Sequence, residues 1–273
     1  MRVDLHIHTD ASDGCDNPRS LLTKAQTLGL GMIAVTDHDS VGNVEQVCNL
    51  APSYGLKVLS GVEISSTKCD KDFHILAYNI DIHNITLREV IAYNNQILTE
   101  KDVDTIKRLQ ELGWPVSAAE YYSYQAPAGI GGWQALNYLK DKGLCSGVND
   151  FFSRIYVKEN GLGFPTFIKP SEVIAAIHGA GGLAILAHAG SSFHGLGLEM
   201  PFAVFADEKL DGYECYHPGH DKKCTEILLA HCAEHGLLTT AGSDYHGDFA
   251  PGRYLGMPKV CAQQLNLGGL STD

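Results

Sequence analysis

His6 and His8 stand two residues apart in the segment MRVDLHIHTD, and Asp13 follows shortly after. His38 lies in TDHD, Glu63 in GVEIS, His74 in DFHILAY and His188 in ILAHAG, while Asp244 and His246, again two apart, lie in AGSDYHG. Each stretch contains or directly follows a short apolar run. A lone histidine in such a place is most often a satisfied core residue. Nine imidazoles and carboxylates in the same relative position point instead to a metal cluster. Imidazole with carboxylate, and no obvious thiolate, suits Mn, Fe, Zn or Co. Nine donors exceed the roughly four to six positions of one ion, and a carboxylate such as Glu63 can bridge ions, so two or three divalent ions are expected. Ions so placed hold a phosphate, polarise its oxygens and lower the pKa of a bound water to roughly 7. That hydroxide would attack phosphorus without a serine or cysteine nucleophile.

Further candidates surround this set. His217 and His220, in ECYHPGH, follow another apolar run; His217 is expected to protonate the leaving oxygen and His220 to contact substrate. Asp13 and His38 are counted with His217 as catalytic candidates. Arg253, in APGRYLG, could clamp a phosphate through its guanidinium fork or pair with a surface acid. Asp37 and Asp39 could orient His38 by hydrogen bonding, although helix capping by Asp39 or Ser40 competes. Trp133, with Tyr121, Tyr122 and Tyr124, could stack a substrate ring or form core; Trp133 is taken as the substrate contact. His83, His178, His194, His231 and His235 fall off the pattern and read as structural or solvated.

The elements that must carry these residues follow from periodicity. Val3–His8 alternates as a strand, with Leu5 and Ile7 on one face and His6 and His8 on the other. Pro18–Leu30 reads as a helix, Gly31–Thr36 as a strand, Val41–Tyr54 as a helix, and Lys57–Ile64 and Asp72–Asn79 as strands. This alternation predicts a mainly parallel sheet. Ile85–Leu112 reads as one long polar helix, and helical stretches surround Trp133–Lys142 and Val148–Lys158. The rhythm then resumes with a helix (Ser171–Ala180), strands at Gly182–Ala187 and Leu210–Tyr216, a helix (Asp221–His235) and a strand (Leu237–Ala241). The polar, Gly-rich tail after Val260 is expected to fray. Residues 1–84 and 165–260 thus form a catalytic barrel, and 85–164 a helical insertion capping the substrate. Nearly all the candidate ligands fall at strand carboxyl ends, where barrel active sites form.

The chain has 273 residues, enough for one barrel, with 44% hydrophobic and 19% charged residues. Its net charge of -12 disfavours long nucleic acid as a partner, but bound cations would still let a small anion enter. The eight cysteines form no C-x-x-C pair and, without a signal-peptide pattern, read as reduced and structural. No apolar run long enough for a membrane span is present, and a cytoplasmic location is expected.

The motifs DLHIHTDASDG, TDHD, GVEIS, HILAY, ILAHAG and SDYHG, many and in order, resemble those of the polymerase-and-histidinol-phosphatase (PHP) family of phosphoesterases. The resemblance implies a distorted seven-stranded (β/α)7 TIM-like barrel and a trinuclear site, with His6, His8, Asp13, His38, Glu63, His74, His188, Asp244 and His246 matching the ligands. The spacing and insertion look most like the branch acting on nucleoside 3′,5′-bisphosphates, RNA 5′ ends or cyclic sugar phosphates. The chain departs at Gly131-Gly132-Trp133-Gln134, where that branch usually carries a Gly-Arg-Pro-His-type stretch that binds a second phosphate. The expected function is therefore hydrolysis of a small phosphorylated metabolite or nucleotide. Alternatives are an exonuclease on nucleic-acid 5′ ends, a histidinol-phosphate-type phosphatase, an amidohydrolase (against which the absence of a carboxylated-lysine position argues) and a non-catalytic metal-binding domain.

Overall fold

The apolar runs that lead into the histidines and acids become strands. They are β1 (Arg2–Asp4), β2 (Met32–Val35), β3 (Lys57–Lys68), β4 (Lys71–Tyr78), β5 (Leu183–Leu186), β6 (Gly212–Tyr216), β7 (Leu238–Ala241) and β8 (Val260–Cys261). The structure is a computed structural model that describes residues 1–127, 130–190 and 197–270. His194 lies outside the described residues.

The strands form one sheet in the order β7-β6-β5-β4-β3-β2-β1-β8. Hydrogen bonds from Leu5 N–H to the Ala241 carbonyl and from Asp244 N–H to the His6 carbonyl, each 2.9 Å, bring the chain beyond β1 to the end of β7 and nearly close the sheet into a barrel. Helices α1 (Pro18–Thr27), α2 (Val44–Leu50), α3 (Ile85–Glu111), α4 (Ala118–Ser123), α5 (Gln134–Asp141), α6 (Val148–Asp150), α7 (Pro170–Gly179), α8 (Glu199–Phe205) and α9 (Lys222–His235) surround or follow it. The result is the expected distorted TIM-like α/β barrel.

Three departures from the sequence reading have physical causes. First, the sheet is mixed. β3 and β4 pair antiparallel from Gly61↔Tyr78 to Lys68↔Lys71, and β4 and β5 are antiparallel as well. The β3–β4 turn is made by Cys69 and Asp70, both at φ +54°, the left-handed pair that matches the twist of a tight hairpin. Second, regular pairing of β1 stops at Asp4. Leu5 then packs in the barrel interior while Ile7 packs outward with Leu21, Leu22 and Val47, so strict alternation fails. Third, the tail is anchored. β8 pairs antiparallel with β1 through Val3↔Val260 and Arg2↔Cys261, adding an eighth strand, and Leu267 and Leu270 are buried in the barrel interior.

Two apolar cores meet along α3. Its first half places Leu87, Val90 and Ile91 against β4, β5 and α7 residues such as Ile75, Leu186 and Ile177. Its second half places Ile106 and Leu109 in a separate core with Leu136, Leu139, Phe151 and Ile155. The chain returns to the barrel with equal definition: Phe167 N–H donates to Thr67 Oγ1 at 2.9 Å, and Thr67 N–H to the Ile168 carbonyl at 3.2 Å. Among the described residues no helix is long and apolar enough to cross a membrane. All eight cysteines are free thiols.

Candidate metal centre

Segments just beyond β1, β2, β5 and β7 deliver side chains to one mouth, and Glu63 and His74 reach it from within the antiparallel β3–β4 hairpin rather than from strand ends. An isolated parallel bridge pairs His38 with Glu63, supported by Asp39 N–H donating to the Glu63 carbonyl at 2.8 Å. On the hairpin, His74 pairs with Ser65, two residues beyond Glu63, and Ala187 N–H donates to the His74 carbonyl at 3.0 Å, which sets His188 beside it. His188 and Asp244 have left-handed backbones, φ +31° and +52°. Non-glycine residues adopt that region at a cost, and they do so preferentially where function demands an orientation. Gly242 permits the close approach of strand ends: a Cβ there would collide with the Cβ of His6 and lie 2.7 Å from Glu214 Oε1.

All nine expected ligands converge. Glu63 is the centre. Its Oε2 lies 3.0 Å from His6 Nε2, 3.2 Å from His8 Nε2 and 3.3 Å from His38 Nδ1, and its Oε1 lies 3.0 Å from both His74 Nδ1 and His188 Nε2. Asp244 Oδ1 is 3.2 Å from His8 Nε2, and Asp13 Oδ1 is 3.3 Å from both His8 Nδ1 and His246 Nε2. Among the described residues, three groups have donor atoms within 4.8 Å of one another: His8, Asp13, His38 and His246; His6, His8, Glu63 and Asp244; and His38, Glu63 and His74. Each pair of groups shares one residue, namely His8, Glu63 or His38.

The electrostatics are those of a cluster whose charges balance internally. Burial alone would raise the Glu63 carboxyl, yet His6, His38 and His74 around it, and a hydrogen bond with His188, hold it well below the usual range. Asp13 and Asp244 are likewise buried and held well below theirs by neighbouring imidazoles. Burial opposes charge on His6, but Glu63, Glu214 and Asp244 override it and raise it well above the ordinary value. Burial dominates at His38 and His188, pushing them down to about 3 and about 4. The donor set fits divalent cations on a further count. Both ring nitrogens of His8 are buried and lack a hydrogen bond of good geometry, which is costly for a polar group unless an electrophile takes its lone pair.

Supporting residues were less legible in sequence. Glu214 on β6 is fully buried; it accepts from His6 Nδ1 at 3.0 Å and from the His188 N–H at 2.9 Å. The only sequence signal was an acid inside an apolar strand, GYECY. Asp4 similarly accepts from Ser243 N–H at 2.9 Å and Gly256 N–H at 2.6 Å. Asp37 accepts from Thr9 and Ser12, and Asp39 from Asn94 and Ser65. They therefore brace the loops around His38, and neither caps α2, whose N-cap is Asn43 without a side-chain bond.

The secondary candidates take different positions around the cluster. His217 is buried behind the cluster. Its Nδ1 accepts from Gly219 N–H at 2.9 Å and its Nε2 lies 3.2 Å from Asp244 Oδ2. His220 has both nitrogens engaged with backbone: Nδ1 donates to the Cys215 carbonyl and Nε2 accepts from Gly190 N–H, each at 3.1 Å. Arg253 Nη1 donates to Asp244 Oδ2. A cavity of about 290 Å³ opens over the cluster, lined by Asp13, His38, His74, His188, Asp244 and His246 on one side and by Trp133, Phe152, Phe164 and Phe249 on another. Trp133 therefore faces the site, while Tyr121 is buried in the adjoining core. His83, His178, His231 and His235 are not among the cavity-lining residues.

Comparison with known proteins places this geometry. The PHP domain profile matches residues 4–125. A crystal structure of a protein from Bifidobacterium adolescentis, assigned as a metal-dependent phosphoesterase, superposes with a TM-score of 0.83 at 30% identity, covering 96% of this chain and 93% of that one. The 5′–3′ exoribonuclease of Escherichia coli is 28% identical over 89% of this chain and 84% of its own. The 3′,5′-nucleoside bisphosphate phosphatase of Chromobacterium violaceum is 26% identical over 95% of this chain and 93% of its own. The strand-end histidines, the barrel that gathers them and these relatives agree: the chain belongs to the PHP-domain family of metal-dependent phosphoesterases and is a hydrolase of phosphoric ester bonds.

Proposed function

We propose that the chain hydrolyses a small phosphorylated metabolite or nucleotide, with two or three divalent ions (Mn, Fe or Zn) held by the nine residues His6, His8, Asp13, His38, Glu63, His74, His188, Asp244 and His246. The observation that carries this reading is the set of three overlapping donor groups beneath one cavity. Divalent ions there would polarise the phosphoryl oxygens and supply a water nucleophile at neutral pH. The chain does the rest. Glu214 fixes the His6 ring so that Nε2 faces the cluster. His217 and Arg253 hold Asp244, and Arg253, beside it, is placed to offer its remaining N–H groups to the bound phosphate. The aromatic wall, contributed largely by residues 85–164 acting as a substrate cap, excludes bulk water and strengthens every electrostatic contact inside. In the reaction the water oxygen bonds to phosphorus, the ester P–O bond breaks, and one proton of that water leaves with the alcohol.

The relatives support three substrate classes, one of them the cyclic sugar phosphate of a phosphoribosyl 1,2-cyclic phosphate 1,2-diphosphodiesterase relative. A bisphosphate phosphatase relative supports a small nucleotide; exoribonuclease relatives of similar identity support RNA 5′ ends. The test is turnover, read by phosphate release and by chromatography of the products, by Mn-reconstituted and chelator-stripped protein on a mononucleotide, a nucleoside 3′,5′-bisphosphate, a cyclic sugar phosphate, histidinol phosphate, benzyl phosphate and short RNA. Mn-dependent turnover of a small ester, lost in His8→Ala, supports the reading. Turnover of RNA alone, falling steeply with salt, would move the assignment to the exonuclease, and turnover of none would remove it.

A further inference from the structure

The wall opposite the cluster has its own chemistry. Trp133 meets Phe152 and Phe164 edge-to-face, with ring centroids at 5.0 and 5.5 Å. Phe249 projects from the loop after His246 and lies against Gly132, at φ +101°, where an added Cβ would collide with the Phe249 ring. The position just before Trp133 therefore has no room for any side chain, polar or charged; an aromatic ring occupies the place. Gln134 turns away and donates to the Tyr124 carbonyl at 2.8 Å.

Charge in the cavity is equally one-sided. Among the described lining residues, Arg253 is the one arginine or lysine, and it is bonded to Asp244 at the cluster end. Among the described lining residues the remaining acid outside the nine candidate ligands is Asp72. Asp72 lies two residues before His74 on β4, and its Oδ1 accepts from Thr67 Oγ1 at 2.8 Å. A phosphate brought against the aromatic wall and Asp72 would meet rings and a carboxylate, and among the described lining residues no arginine or lysine besides Arg253 would offset its desolvation, which is unfavourable in a partly enclosed site.

We infer that the substrate is a phosphomonoester carrying one phosphate only, joined to a flat, uncharged, apolar ring system that lies against the Trp133–Phe152–Phe249 wall, and that the cavity rejects a second phosphate on that body. This rests on the phosphoesterase reading for its first phosphate and narrows it for the rest. Recognition comes from ring stacking and area burial at one end and from cations at the other, a division that gives specificity because each half of the cavity is hostile to the other half of the ligand.

Three phosphonates test this, because their C–P bonds resist hydrolysis and binding is read without turnover: methylphosphonate, benzylphosphonate and p-xylylenediphosphonate, titrated calorimetrically into the Mn-loaded full chain. Benzylphosphonate is expected to bind at least about tenfold tighter than methylphosphonate, as stacking on aromatic side chains allows, and at least about tenfold tighter than the diphosphonate. Trp133→Leu and Phe249→Leu, each shown by Mn titration to retain the centre, should erase the first difference. Asp72→Asn should narrow the second. Equal affinity for methyl- and benzylphosphonate, tighter binding of the diphosphonate, or no binding of any probe to the metal-loaded protein overturns the inference. A failed phosphate-release panel alongside the expected phosphonate order would remove the hydrolase assignment and leave the ligand class standing.

Discussion

Glu214 Oε1 lies 3.0 Å from His6 Nδ1, and both side chains are fully buried. The carboxylate keeps Nδ1 protonated and turns Nε2 toward Glu63. Its other oxygen accepts from the His188 N–H, so one side chain aligns two candidate ligands from different strands. In Glu214→Gln the amide can satisfy only one of these donors. Metal affinity should fall about 10- to 100-fold while far-ultraviolet dichroism stays unchanged. An unaltered Mn titration would show that Glu214 only fills space.

Stripping the protein with chelator should leave it folded, because the imidazoles and carboxylates pair with one another. Returning Mn should raise the melting temperature with the logarithm of free metal. At a hundredfold excess over Kd the gain is about 2.7 kcal/mol, or about 5 °C or more for a chain of this size. A midpoint independent of metal would mean that the cluster does not bind it.

Asp102, on α3, accepts from Ala135 N–H at 3.2 Å and Tyr121 O–H at 3.4 Å. Burial pushes its pKa up to about 6 despite those bonds. The sign follows from linkage: the folded state holds the proton more tightly than the unfolded state, so this group's stabilising contribution is complete below pH 3.8 and is lost as pH rises to about 6. Asp102→Asn should therefore flatten the stability profile over that window and make the variant comparatively more stable at neutral pH. Parallel profiles for the two proteins, from denaturant midpoints at stepped pH, would refute this.

Gly132→Ala introduces a Cβ at a left-handed backbone position and directs it at the Phe249 ring. A cost of about 1–3 kcal/mol is expected, with a lowered melting temperature and a raised KM, since the ring that must move forms the cavity wall. A neutral substitution by both measures would mean that Phe249 is free to relocate.

The candidate centre was unusually legible because its signal repeats. His6, His38, His74, His188 and Asp244 each sit beside an apolar run, and the fold gathers run-ends by construction. Glu214 and Asp4 were not legible for the opposite reason. A single acid in a strand has no partner visible in sequence, and its role exists only once β6 lies across from His6. Strand direction was hidden too: alternation of period two is the same in a parallel or antiparallel neighbour, and the two-residue Cys69-Asp70 turn was the one local sign of the β3–β4 hairpin. The tail misled because Gly-rich composition describes local freedom, whereas Leu267 and Leu270 are fixed by distant strands. The partners of Arg253 and His220 were not legible either: they depend on Asp244 and on the Cys215 and Gly190 backbone, which the fold brings to them.

The continuity of α3 has a mechanical consequence. One unbroken helix of 27 residues is packed into the barrel core at one end and the second core at the other, and the return segment is stitched to Thr67. The wall over the cavity is thus bolted to its base at both crossings, like a bracket rather than a hinged door. Ligand exchange is then expected to proceed by motions of individual side chains, with discrimination set by a shape already present rather than by closure around the ligand.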